Sequence, residues 1–144
     1  MFDPDEFLNT AVEGTLDTRM IPVPEGEFLA TVSALGSRVV GENSLPVLDV
    51  TWKIEDNEEV SAVTGRPVST VRQTIWLDIS ESGGLDMSKG KNVGLGRVRD
   101  AVNQNGPGPW SAAQLEGAMA IVRISHRIHN EETYADVKGV AAVG

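Results

Sequence analysis

The chain has 144 residues, 23% charged and 40% hydrophobic, which is the size and make-up of one globular domain able to bury a sizeable core. The absence of cysteine excludes disulfides and thiolate metal sites, and the net charge of −9 argues against a general nucleic-acid coat, which carries a basic surplus. The charge is uneven: residues 1–66 hold 13 acids and 4 bases, whereas residues 67–144 hold 8 of each, so the second half has room for a basic stripe.

Residues 1–21 are polar and acidic and read as an N-terminal extension, with a short helical stretch around Phe7 to Val12. The opening "MFDPDEFLNTAVEG" lacks the basic-then-apolar order of a signal peptide. No apolar run approaches the roughly 20 residues of a membrane span. A soluble chain of the cytoplasm is the expectation.

Residues 22–144 read as the folded domain. "IPVPEGEF" is an extended lead-in set by its two prolines. "EFLATVSALGSRVV" alternates Phe28, Ala30 and Val32 against Leu29, Thr31 and Ser33, which is a strand's period. Gly36 inside it marks a bulge or bend. After the turn "GENSLP", the stretch "PVLDVTWKIED" puts Leu48, Val50, Trp52 and Ile54 on one face and Asp49, Thr51 and Lys53 on the other. "EDNEEVSAVTGRP" then reads as a long hairpin loop.

"VRQTIWLDIS" is the third strand, ending near Ile79. Val71, Ile75, Leu77 and Ile79 make an aliphatic face on which Gln73 is the one polar residue. The opposite face carries Thr70, Arg72, Thr74 and Trp76. "SESGGLDMSKGK" is an irregular connection. "NVGLGRVRDAVNQN" has helical spacing at Leu95, Val98 and Val102, weakened by two glycines. In "WSAAQLEG", Ser111 and Gln114 fit a capping box, and Trp110 with Leu115 fits a hydrophobic staple. "GAMAIVRISHRIH" sets Ala120, Val122, Ile124 and Ile128 against Arg123, Ser125 and Arg127. After the tight turn "NEE", the last strand sets Ala135 and Val137 against Tyr134, Asp136 and Lys138.

Three strands, a helix and two strands predict a mainly β protein, a five-stranded Greek-key barrel of the oligonucleotide/oligosaccharide-binding (OB) type with its helix between strands 3 and 4. A split sandwich of the same element order is the alternative. On an OB barrel the ligand crosses the exposed face of strands 2 and 3, where Lys53, Arg72, Thr74 and Trp76 fall. Arg123, Arg127, Tyr134 and Lys138 lie on the outward faces of strands 4 and 5, and Arg38 and Arg66 border the first hairpins. An aromatic platform beside cations suits single-stranded nucleic acid, because bases stack and phosphates need charge. The bland alternative is that Trp76 is covered by a loop, a terminus or a partner, and that the Arg123/Arg127 pair is only a solvated face answering Asp136 and Glu132. Trp52 is in phase with the core.

Enzyme-like patterns fail. Gly84 to Gly90 encloses five residues where a Walker A loop has four, and Asn92 replaces its Ser or Thr. "GLGRVR" lacks the third glycine of a dinucleotide fingerprint. His126 and His129, three apart on a strand, point to opposite faces and cannot readily share a metal. The acids Glu55, Asp56, Glu58 and Glu59 read as a solvated loop. No cofactor and no catalysis are expected.

The segment from "LDISESGGLDMSKGKNVGLGRVRDAV" through "LEGAMAIVRISHRIHNEETYADVKGV", with Leu115 to Gly117 entering strand 4 and Tyr134 to Val137 in strand 5, resembles phage-encoded single-stranded-DNA-binding proteins of the OB fold. The likeness covers roughly residues 22 to 142. It implies sequence-tolerant, non-catalytic binding of single strands in phage replication, recombination or repair, with proteins of those processes as partners. RNA as a ligand and homo-oligomerisation stay open. The runner-up is a structural or assembly β-barrel, a virion or oligomerising subunit, whose Trp76 face is a protein–protein interface. A carbohydrate-binding OB module is a third reading, less suited to the arginines.

Overall fold

The computed structural model describes all of residues 1–144. The protein is mainly β, with five strands in one antiparallel sheet: β1 (Gly26–Val40), β2 (Leu45–Glu55), β3 (Val68–Trp76), β4 (Met119–His129) and β5 (Glu132–Ala141). Their spatial order is β3-β2-β1-β4-β5. The fourth strand thus returns to lie beside the first, the Greek-key arrangement.

The 15-residue β1 serves two partners. Gly26 to Thr31 pair with β4, and Thr31 to Val40 pair with β2. The changeover is a bulge between Val32 and Ala34. Here Val32 exchanges backbone hydrogen bonds with Ala118 and Gly117 (2.8 and 2.9 Å), and Ser33 Oγ donates to the Thr51 carbonyl (3.3 Å). The irregularity expected at Gly36 therefore lies at Ser33, where the strand changes neighbours. Gly36 itself pairs regularly with Asp49.

The core is built from the alternation in the sequence. Phe28, Ala30 and Val32 of β1, Leu48, Val50, Trp52 and Ile54 of β2, Val71 and Ile75 of β3, and Ala120, Val122 and Ile124 of β4 are all buried in one cluster. Gln73, the polar residue on the apolar face of β3, accepts a hydrogen bond from the Trp52 indole (2.9 Å). A buried indole N–H left without a partner would cost about 1–3 kcal/mol, so this pairing lets a tryptophan sit at the centre of the sheet. Ile128 departs from its expected place, at 76% exposure, because the β4–β5 hairpin runs on past the core.

Three helices complete the fold. The short α1 (Pro4–Phe7) is capped by Asp3, which accepts from the amides of Asp5 and Glu6, and it precedes the Phe7–Val12 stretch where a helix was expected. The supposed loop between β2 and β3 contains α2 (Glu58–Thr64), whose Asn57 side chain accepts from the Val60 amide (3.0 Å) and whose C-cap is Gly65 at φ 73°. Val60 and Thr64 are buried, so one side of this helix seals the end of the sheet. The spacing Asn57, then Val60 and Thr64, then Gly65 was a helix signal hidden under a run of acids.

The third helix, α3 (Val93–Ala101), buries Leu95, Val98 and Ala101. Its Val102 is the C-cap residue and only partly buried. Gly94 brings α3 close over β3, where a side-chain carbon would sit 3.5 Å from Ile75 Cγ2. β3 stops at Trp76, short of the expected Ile79, because the chain turns off into a loop bridged by Ile79 and Leu85. Asn92 clips the two ends of that loop: its amide donates to Asp78 Oδ2 and its side chain bonds the Asp78 backbone (2.8–2.9 Å). The expected capping box at Ser111 does not form: that residue makes no side-chain cap bond, and Ala112–Leu115 is a single 3-10 turn. Trp110 instead donates to Gln104 Oε1 (2.8 Å) and lies under the Arg99 guanidinium, 4.3 Å from its ring centroid.

Residues 1–21 are exposed throughout, and Val23 is the first buried residue. No helix is long and apolar enough to cross a membrane.

Candidate nucleic-acid interface

With each neighbouring pair antiparallel, the edge strands β3 and β5 run in the same direction. Their Cα atoms approach within 8 Å, yet no ladder joins them. Two strands flanking an inserted third would stand about 9.4–9.8 Å apart, so no further strand fits between β3 and β5 where they make these contacts.

A groove runs along this seam. Its centre, about 690 Å³, is lined by Arg72, Thr74 and Trp76 from β3 and by Tyr134, Asp136 and Lys138 from β5, with Arg127 reaching over from β4. One end, about 520 Å³, continues past Gln73 and Lys138 to Arg97 and Asp100 of α3 and to Arg123 of β4. The other end, about 400 Å³, passes Arg72 and Tyr134 to Arg66 and the chain at Arg19 to Val23. Shared residues make the three parts one continuous track.

Trp76 closes β3 at 58% exposure, and neither a loop nor a terminus covers it. It stands on the outer face, opposite Val47, whose other cross-strand partner is Arg38. Val47 is fully buried although it faces away from the main core. Across the seam, Arg127 lies 4.9 Å from the Tyr134 ring centroid and donates to Asp136 (2.8 Å). The Tyr134 hydroxyl donates to Glu132 (2.6 Å). That bond, with some desolvation, raises the tyrosine's pKa, and Asp136 raises that of Arg127. Both groups keep their protons at any physiological pH, so the stack presents a neutral ring and a fixed cation.

The cations divide into held and unpaired. Arg38 forms a fork with Asp49 (Nε–Oδ2 2.6 Å), and Thr74 donates to the same carboxylate (2.9 Å). The Arg38 bond chiefly, then Thr74, keeps Asp49 below the usual carboxylate range against the opposing effect of burial. Lys53 pairs with Glu55 at 3.4 Å, and Arg66 donates to the Ile21 carbonyl. Arg72, Arg97, Arg123 and Lys138 make no ion pair. The Arg123 guanidinium lies across β5 beside Gly139, where an added Cβ would meet it at 3.5 Å, an ordinary contact.

Of the residues expected from the sequence, Arg72, Thr74, Trp76, Arg127, Tyr134 and Lys138 come together at the centre of the groove, with Arg66 and Arg123 at its two ends. Lys53 and Arg38 lie on the outer sheet face but line no part of it. The groove therefore follows the β3–β5 seam rather than the β2–β3 face. Arg97 joins the groove without a signal in the sequence: helical spacing marks it as outward-facing, but only the packing of α3 beside β3 and β5 aims it there. Neither a family model nor a curated protein matches the chain.

Proposed function

We propose that the protein is a non-enzymatic, largely sequence-independent binder of single-stranded DNA, built on an OB-like barrel that closes at the β3–β5 seam. The barrel reading is supported by the cyclic strand order it would create, β1-β2-β3-β5-β4 and back to β1, with a helix between the third and fourth strands. The observation that carries the function is the seam groove itself. It sets an exposed indole and a tyrosine–arginine stack on either side of a track with four unpaired cations. Aromatic faces accept any base and cations follow any backbone, so such a groove would bind single strands with little regard to sequence. A role in phage replication or recombination is part of the same proposal and rests on the resemblance.

The test is quenching of tryptophan fluorescence by oligo-dT of about 30 nucleotides, longer than the roughly 4–16 an OB fold occupies. Strong quenching that weakens with salt is expected, and no change at micromolar protein in low salt would refute the reading. A second reading, assembly through the same face, has one observation in its favour: Val39 and Leu45 at the β1–β2 tip are exposed along with Trp76. Concentration-dependent sedimentation without nucleic acid, lost on Trp76→Ala, would favour it.

A further inference from the structure

The α3 end of the seam groove differs in make-up from its centre. α3 contacts both β3 and β5 and borders the pocket of about 520 Å³ at this end. No aromatic residue lines it. Its apolar lining is small or aliphatic, with Gly94 and Ala101 from α3 and Val137 and Val140 from β5, so a base finds no ring to stack on.

The pocket is equipped for charge instead. Arg97, Arg123 and Lys138 all line it, and none makes an ion pair. Two of the three are placed by an irregularity in the sheet. Arg123 pairs with Gly139 and Ile124 with Val137, so Lys138 has no partner on β4 and forms a bulge. A bulge re-aims a side chain. The Arg123 guanidinium lies against Gly139, the residue next to Lys138, which brings two cations to one place. The single acid of the lining is Asp100, so the pocket has a surplus of two positive charges.

Gln73 adds neutral donors. Its carbonyl oxygen is engaged by the Trp52 indole, which can only donate (2.9 Å). The amide NH2 is therefore the free end of this half-buried side chain, which lines the pocket. The cationic track also stops here. Past Arg123 the next depression, about 230 Å³, brings in Glu27 and no further cation. A phosphodiester backbone continuing that way would meet a like charge.

We propose that this end of the groove is a phosphomonoester pocket, which seats the terminal phosphate of a bound strand. An internal phosphodiester carries one negative charge, whereas a phosphomonoester carries about −1.5 to −2 at pH 7 and three strong acceptor oxygens. The surplus of two cations and the free amide donors match the terminal group in both respects. The inference rests on the groove taking single strands, and it deepens that reading. A seated end fixes which way the strand runs along β3, with its bases extending toward Trp76 and Tyr134. A free nucleoside monophosphate presents the same group, and the test separates the two sources.

The affinity of the full chain is measured for oligo-dT of about 8 nucleotides, within the roughly 4–16 of an OB fold. The oligonucleotide carries a 5′-phosphate, a 3′-phosphate, or hydroxyls at both ends. One phosphorylated form, and only one, should bind about 10-fold tighter than the hydroxyl form in low salt, because the added hydrogen bonds are charge-assisted. Its log K should also fall more steeply with log salt, by roughly 0.7 for each added charge neutralised. Arg97→Ala and Lys138→Ala, both at exposed positions, should each bring the ratio toward one. Trp76→Ala should weaken both forms alike and keep the ratio. Equal affinities for the three oligonucleotides, or a ratio that survives Arg97→Ala and Lys138→Ala, overturns the proposal and leaves the single-strand reading standing. The second arm is a titration with dTMP followed in amide spectra. It should move the Gln73 side-chain amide and the Gly139 amide, at higher concentrations than the phosphorylated strand needs. No shift at either amide with dTMP in excess also overturns the proposal. The shifts without oligo-dT binding in any form would keep the pocket, assign it to free nucleotides and remove the single-strand reading.

Discussion

Single side chains decide what the groove can grip. Trp76 is the one tryptophan without a structural bond, since Trp52 is held by Gln73 and Trp110 by Gln104 and Arg99. Trp76→Ala should weaken oligo-dT binding by about 1–3 kcal/mol, one stacked base, and abolish most of the quenching. Both are read from the same titration. Asp49 acts in the opposite sense, because it holds Arg38 and occupies Thr74. Asp49→Asn should release the Thr74 hydroxyl to the groove and tighten binding in low salt, while the slope of log K against log salt stays as it was because Arg38 lies outside the groove. The carboxylate's depressed pKa gives a second signature. Its stabilising contribution is complete above the ordinary aspartate pKa of about 3.9 and is lost as pH falls through the lower folded value. Thermal melts of parent and Asp49→Asn should therefore differ at pH 7 and converge toward pH 3.

At the scale of elements, the sequence was most legible where burial on one side imposed a period of two. All five strands were readable, because Phe28 to Val32, Leu48 to Ile54, Val71 to Ile75, Ala120 to Ile124 and Tyr134 to Lys138 each alternate. It was least legible where local and tertiary signals competed. The acids of α2 suggested solvent and hid a capped helix with one buried side. Ser33 gave no sign of the bulge, which arises only because β1 has two partners. Most of the site residues were legible as outward-facing, but alternation cannot say which outward faces meet across a seam. Lys53 and Arg38 therefore read like site residues although they lie outside the groove, and Arg97, on a helix, does not although it lines it. The overlooked helix is testable in its own right: Asn57→Ala removes its cap and should cost about 0.5–2 kcal/mol in a urea melt. Oligo-dT affinity should stay unchanged, since α2 does not line the groove.

For the whole molecule, the net charge of −9 and the cationic groove are compatible because they occupy different parts of the chain. Composition registers the sum, whereas a ligand meets the local field. Four unpaired cations predict a slope of log K against log salt near −3 for single strands, at about −0.7 per neutralised phosphate. A slope near zero with binding intact would mean that stacking alone holds the ligand. Duplex of the same length should bind less well, because its bases are stacked on each other and unavailable to Trp76 and Tyr134.

The double duty of β1 bears on how the protein is made. Its first half waits for β4, so Phe28 meets Val122 only after the intervening chain, β2 through α3 included, has left the ribosome. Until then Gly26 to Thr31 present an open edge with Phe28 and Ala30 uncovered, while the β1–β2–β3 meander can already form from neighbouring segments. Closing so long a loop late is slow, and contacts of this separation place folding in the millisecond-to-second range. Nascent chains stalled before Met119 would accumulate as half-sheets with a sticky margin.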